Sequence, residues 1–320
     1  MSYDATGIEY FPIPNFKFVG GTTKEIKVAY RSFNPTSSKK VLIPTCYSGR
    51  INTTLNFTAG VLKDYNVIVV AMLGNGESSS PSNDNDFPKD YSLRYPDCIN
   101  SQYALLTQHL GVKSLDAVIG FSMGGQQAYH WAVMHGTGTD PFLKHAVVIC
   151  GSAKTSGHNY AFLEGPTSAL IASSDYDQGR YKANGVKPCR MVPTRALEEP
   201  WCSELARLAT PPPGKGPHES WDPEDLLVLA RMWQAGDIGS VGGHGDYKKA
   251  LEQVTSKVLV MPSKTDQYFP PEDGQSEVKY LKNGVFDPIP TIWGHMGGGG
   301  ANPADVKWMD ERISRFLDGE

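Results

Sequence analysis

A serine becomes a nucleophile when a base takes its proton and an acid holds that base in place. Residues 118–125, Val-Ile-Gly-Phe-Ser-Met-Gly-Gly, supply the first of these parts. Gly120-Phe121-Ser122-Met123-Gly124 fits Gly-x-Ser-x-Gly, the elbow at which a strand turns into a helix so sharply that the serine adopts a strained backbone. Glycines are needed on both sides because a Cβ there would collide with the turn. The context agrees, since apolar Leu115–Ile119 precedes the motif and helix-like Gln126–Met134 follows it. Ser122 is the candidate nucleophile, and the backbone N–H of Met123 is a candidate donor to an oxyanion.

On such an elbow the triad partners follow in the order acid, then histidine. Lys257–Pro262 reads as a buried strand, and Asp266 stands in the loop after it. Pro288–Trp293 reads as a short strand leading into Gly294-His295-Met296-Gly297-Gly298. Both residues then lie at the carboxyl edge of a parallel sheet, where function gathers. Taken singly, an aspartate after a strand is commonly a turn residue, and a histidine among glycines is commonly solvated. Order, spacing and strand-end position together select Ser122, Asp266 and His295, with Glu277 and Asp287 as fallback acids. A second oxyanion donor is expected after an early strand, here Val41–Pro44. The amide of Cys46 or Tyr47 would serve, with Tyr47 preferred. Cys46 has no elbow of its own and is expected as a small buried hydrophobe beside the substrate.

The chemistry implied is acyl transfer from an ester or thioester through an acyl-serine. If water resolves the acyl-enzyme, the protein is a hydrolase of esters, thioesters or lactones of small organic or secondary-metabolite substrates. If an alcohol does, it is an O-acyltransferase with acyl-CoA as co-substrate. A noncatalytic ligand-binding protein on the same scaffold is the alternative of another class.

The elements that must position these residues alternate. Strand-like runs lie near Ile26–Ser32, Val41–Pro44, Val67–Met72, Leu115–Phe121, Ala146–Cys150, Lys257–Met261 and Pro288–Trp293. Helix-like runs include Ile99–Leu110, Gln126–Met134 and Pro303–Leu317. The expected fold is α/β, an α/β-hydrolase type in which helices flank a mostly parallel sheet. The core would comprise residues 1–154 and 251–320, with residues 155–250 inserted as a helical lid. That segment lacks a strand pattern, is interrupted by Pro211-Pro212-Pro213-Gly214, and is rich in aromatics. Trp201, Trp233 and, from the histidine loop, Met296 are candidate substrate contacts. A cleft lined by Trp201, Trp221 or Trp233 would suit a bulky apolar acyl group. Gly74-Asn75-Gly76-Glu77-Ser78-Ser79-Ser80 lacks the lysine of a phosphate loop and reads as a mobile loop beside the site.

These motifs resemble the homoserine O-acetyltransferase-like branch of the α/β-hydrolase superfamily over nearly the whole chain. The resemblance rests on 118–127, on Asp266-Gln-Tyr-Phe-Pro-Pro271 and on Trp293-Gly-His-Met296. Asn159-Tyr160-Ala161-Phe162 and Arg231–Gly239 look like that family's lid segments. By resemblance Ser122 would be acylated, Asp266 and His295 would activate it, and Tyr47 would give the first oxyanion amide. Thr45–Gly49, Leu73–Pro81 and Met296 depart from the family's homoserine-binding runs, and its arginine-bearing lid segment is not evident. Those departures favour water over homoserine as acceptor.

With 320 residues the chain can bury one large core. A net charge of −4 gives no footprint for nucleic acid or an anionic membrane. No run of about 18 apolar residues suggests a span, and the N-terminus lacks a signal-peptide pattern. The five cysteines are scattered without a Cys-x-x-Cys pair, which points to a reducing, cytoplasmic setting. Cys189 and Cys202 alone are placed for a bridge. No metal or cofactor is expected, and a second copy of the chain is the one macromolecular partner left open.

Overall fold

A computed structural model of the chain describes residues 4–88, 92–172, 176–177, 180–181 and 221–319. Its centre is an eight-stranded sheet in the order β1-β2-β4-β3-β5-β6-β9-β10. The strands are β1 (Glu9–Lys17), β2 (Thr23–Phe33), β3 (Lys40–Pro44), β4 (Asn66–Val70), β5 (Leu115–Phe121), β6 (Leu143–Ile149), β9 (Lys257–Met261) and β10 (Gly284–Phe286). Two-residue strands β7 (Tyr176–Asp177) and β8 (Arg180–Tyr181) pair separately. The β1–β2 and β2–β4 pairs are antiparallel, and every pair from β4 to β10 is parallel.

The parallel strands read as apolar runs because both faces are covered. Alternation divides their side chains. Leu42, Ile68, Val118, Val148 and Val260 enter one core with Tyr95 and Ile99 of α1 (Tyr95–Ala104) and Tyr129 and Trp131 of α2 (Met123–His135). Val41, Val67, Ala117, Val147 and Leu259 enter the other with Met309, Ile313 and Phe316 of the C-terminal helix Pro303–Asp318. The helical spacing of those last three residues puts one apolar stripe on the sheet. Gly319, at φ 87°, ends this helix in the left-handed conformation that glycine tolerates.

Two expectations are corrected, and one strand was not foreseen. The strand predicted at Pro288–Trp293 is reduced to a single bridge between Ile289 and Ser263, and β10 forms earlier, at Gly284–Phe286. Pro288 and Pro290 have no N–H to give a ladder, and Ile292 is 89% exposed. The Gly74–Ser80 run, expected as a mobile loop, is a loop whose polar side chains are packed inside. Asn75, Glu77, Ser78, Ser79 and Ser80 are buried. Ser78 Oγ accepts from the Ala29 amide and Ser79 Oγ from the Lys27 amide, so these side chains extend the bonding of β2. Finally, β1 was not anticipated, because Pro12 and Pro14 mask a strand that edge position permits.

Between β6 and β9 the described elements are mainly helical: α3 (Gly157–Ile171), then α4 (Pro223–Gln234) and α5 (Tyr247–Gln253). Leu163 of α3 and Val228, Leu229, Met232 and Trp233 of α4 join the core that holds Trp131. Trp201, Cys189, Cys202 and the Pro211–Pro213 break lie outside the described residues. Among the described residues no helix is long and apolar enough to cross a membrane.

Candidate active site

Ser122 sits at φ 57° and ψ −123°, a backbone that a non-glycine residue adopts only under constraint. Its neighbours provide the constraint. A Cβ on Gly120 would lie 1.9 Å from the Gly124 carbonyl oxygen, and one on Gly124 would lie 2.9 Å from that of Pro44. The Ser122 amide donates to the Ile149 carbonyl at the end of β6, at 2.9 Å. Its own carbonyl accepts the first helical bond, from the Gln126 amide at 3.1 Å. The elbow is thus pinned between β5, β6 and α2, with Ser122 Oγ at the carboxyl edge of the sheet.

The loops after β9 and β10 bring in the two partners. His295 Nε2 lies 2.9 Å from Ser122 Oγ, and His295 Nδ1 lies 2.7 Å from Asp266 Oδ2. A carboxylate only accepts, so the proton of a neutral imidazole belongs on Nδ1, and Nε2 is left to take one from the serine. Asp266 is fully buried and its other oxygen accepts the amides of Tyr268 at 2.8 Å and Phe269 at 3.0 Å. Four donor–acceptor contacts therefore fix three side chains in one line.

Both fallback acids are engaged elsewhere. Glu277 accepts the Ala153 amide at 2.8 Å, and burial pushes its carboxyl up to about 8. Asp287 lies 3.5 Å from the Arg312 guanidinium.

The predicted oxyanion donors have no other employment. Helix α2 has no acceptor for the amides of its first turn, Met123 included. Among the described residues the amides of Tyr47 and Met123 meet no hydrogen-bond acceptor. The Cys46 thiol is half-buried and desolvation pushes it up to about 12, which leaves it protonated and poorly nucleophilic.

Aromatic rings wall the histidine. Phe121, Tyr268 and Phe269 stand 4.7, 4.8 and 5.7 Å from its ring centre. Trp233, 4% exposed, stacks on Phe269 at 5.4 Å and meets Tyr47 at 5.9 Å. Met296 follows His295 but is exposed to solvent. Phe121, Tyr268 and Phe269 were not among the residues singled out from sequence, although all three lie inside the quoted motifs; spacing does not reveal which way a ring points.

Cys150, at the end of β6, was missed as well. Its sulfur and the ligating atoms of Asp266 and His295 lie within 4.8 Å of one another. Burial holds this thiol well above its usual range, and the other two groups are committed to each other, so the trio is a poor metal ligand set.

An elbow serine, an acid and a histidine at the carboxyl edge of a mostly parallel sheet define a serine enzyme of α/β type. The sequence pattern of the alpha/beta hydrolase fold matches residues 47–297, and the chain belongs to that family. It is 31% identical to the ethyl acetate hydrolase of Pseudomonas veronii, across 89% of this chain and 87% of that protein. It is also 26% identical to a homoserine O-acetyltransferase of Chloroherpeton thalassium, across 91% of this chain and 85% of the relative. Among solved structures it superimposes on the acetyl esterase MekB with a TM-score of 0.82 at 28% identity, covering 98% of this chain and 97% of the other.

Proposed function

We propose that this protein hydrolyses small carboxylic esters, acetyl esters foremost, through an acyl-Ser122 intermediate. One observation carries the proposal: the unbroken contact from Asp266 through His295 to Ser122, at 2.7 and 2.9 Å, on a strained elbow. His295 Nε2 takes the Ser122 proton as Oγ attacks the ester carbonyl. The resulting oxyanion rests on the Met123 amide and that of Tyr47. Collapse breaks the bond to the alcohol, which leaves with the proton held by His295. Water, deprotonated by the same nitrogen, then adds to the acyl-enzyme, and the acid departs as Ser122 regains its proton.

We take the acyl group as small, since Phe121, Tyr268 and Phe269 stand around the ring of His295. Trp233, 4% exposed, is packed against Phe269 and Tyr47. The names of the ethyl acetate hydrolase and the acetyl esterase support the same substrate class. The segment 155–250 acts as the lid over this site. Three free cysteines among the described residues suit a reducing cytoplasm.

The deciding experiment is Ser122→Ala, assayed with p-nitrophenyl acetate alongside labelling of the wild type by a fluorophosphonate. Loss of a triad serine costs on the order of 10⁴ to 10⁶ in rate. The wild type should take up one label at Ser122. A variant that keeps a tenth of the activity would rule out the covalent route.

A further inference from the structure

Gln127 follows the elbow on the first turns of α2, is fully buried, and its side chain hydrogen-bonds to neither the serine nor the histidine. Its carboxamide nitrogen has two hydrogens and two acceptors. It donates to the Thr45 carbonyl at 3.1 Å and to the Met123 carbonyl at 3.3 Å. Thr45 opens the loop that carries the Cys46 and Tyr47 amides, and its carbonyl shares a rigid peptide plane with the Cys46 N–H. Met123 bears the other candidate donor. A single side chain therefore spans the two backbone segments from which the oxyanion donors come.

The span is itself held. Gln127 Oε1 accepts from Gln102 Nε2 at 2.7 Å, and Gln102 Oε1 accepts from Trp131 Nε1 at 2.7 Å. Those contacts fix which end of each amide points where, since only the NH₂ end of Gln127 can serve both carbonyls. The seam it bridges is the one that Gly124 lets close, with the Pro44 carbonyl against the elbow. Thr45 is anchored on its far side, where its Oγ1 accepts from the Met72 amide at 3.1 Å.

We infer that Gln127 is the positioning residue of the oxyanion site, setting the distance between its two amides without touching the substrate. The inference rests on the acyl-Ser122 mechanism above. An oxyanion site acts on the charge that develops at the transition state, so misplacing a donor should lower turnover and leave ground-state binding alone.

The test compares wild type with Gln127→Met, which keeps length and burial but cannot donate. A trifluoromethyl ketone, to whose carbonyl carbon Ser122 Oγ adds to give a bound oxyanion, is the probe; its methyl ketone counterpart reports ground-state binding. With p-nitrophenyl acetate, kcat should fall about 10- to 100-fold, the range for a small misplacement of catalytic groups. KM should stay within about two-fold, and Ki for the trifluoromethyl ketone should rise in parallel with the loss of kcat/KM.

A lower melting temperature with kcat and Ki unchanged would reduce Gln127 to a packing residue and overturn the inference. If Gln127→Met does not fold, Gln102→Met decides, because it frees the Gln127 oxygen and leaves the donors in place. The same parallel change should then appear at a smaller size, and its absence would be equally fatal. Fluorophosphonate labelling of wild-type Ser122 separates the two levels. No label refutes the mechanism, whereas normal labelling with an insensitive Gln127→Met refutes only the positioning role.

Discussion

Asp266 spends one oxygen on His295 and the other on two backbone amides, so its orientation is set by its own loop. Replacing it by asparagine keeps the shape but offers an NH₂ group, and the imidazole then favours the tautomer with its proton on Nε2. Asp266→Asn should remain folded and lose about 10⁴-fold in kcat on p-nitrophenyl acetate. His295→Ala should be as severe as Ser122→Ala, and the double variant hardly worse than either, because the groups act as one unit. A nearly silent Asp266→Asn beside a crippled Glu277→Gln would move the acid role to Glu277. These three residues were legible in the sequence because each carries a local mark: glycines two removed from the serine, a strand before the acid, glycines around the histidine. The rings of Phe121, Tyr268 and Phe269 carry no such mark. Their contact with His295 depends on side-chain direction across the end of β5 and two separate loops, which one-dimensional spacing does not encode.

At the scale of elements, the elbow binds β5, α2 and the end of β3 into one joint. Gly120→Ala places a methyl carbon 1.9 Å from a backbone oxygen, and no rotamer removes it. The variant should lose several kcal/mol, about 3 or more for forced backbone movement in a core, read as a lower urea midpoint. Helix α2 also carries a pH dependence. Burial pushes His130 and His135 down to about 4 from 6.5, so both fold neutral and both take a proton on unfolding at acid pH. Their folded values are depressed, hence stability holds above about pH 6.5 and is lost as pH falls toward 4. His130→Asn should flatten that acid slope in urea titrations at pH 7 and pH 5. Glu277 works in the opposite sense, since its folded value is raised from 4.5 to about 8. Its contribution is full below pH 4.5 and fades as pH climbs through 8, so Glu277→Gln should stabilise the protein most at pH 9.

The strands of the parallel core were legible as unbroken apolar runs. β10 was not, because three residues give no period to read. The Gly74–Ser80 run misled for a related reason, since glycine and serine are loop residues by composition. Here the serine hydroxyls pair with the backbone of β2, a partnership that only the fold creates.

For the whole molecule the open contest is between water and an alcohol as acyl acceptor. The relatives include both a hydrolase and a transferase, and an acyl-serine route serves either acceptor. Acyl-enzyme mass should decay in buffer alone after a pulse of p-nitrophenyl acetate, and homoserine should neither hasten the decay nor emerge acetylated. Release that waits for homoserine would make the protein a transferase. Acetyl should also outperform hexanoyl by tenfold or more in kcat/KM, as one extra methylene in a closed pocket already shifts rates by about 10-fold.

The two margins of the sheet bear on a different property, behaviour in crowded solution. An unpaired strand edge is a template on which a second molecule can zip, and long, flat edges seed precipitation. One margin here is β10, which stops after three residues. The other is β1, where Pro12 and Pro14 withhold two amide hydrogens and the register slips between Ile13 and Phe16. Neither margin offers a continuous ladder. Pro12→Val combined with Pro14→Thr would restore one, and such a variant should scatter light at a lower temperature and concentration than the wild type while its esterase activity per folded molecule is retained.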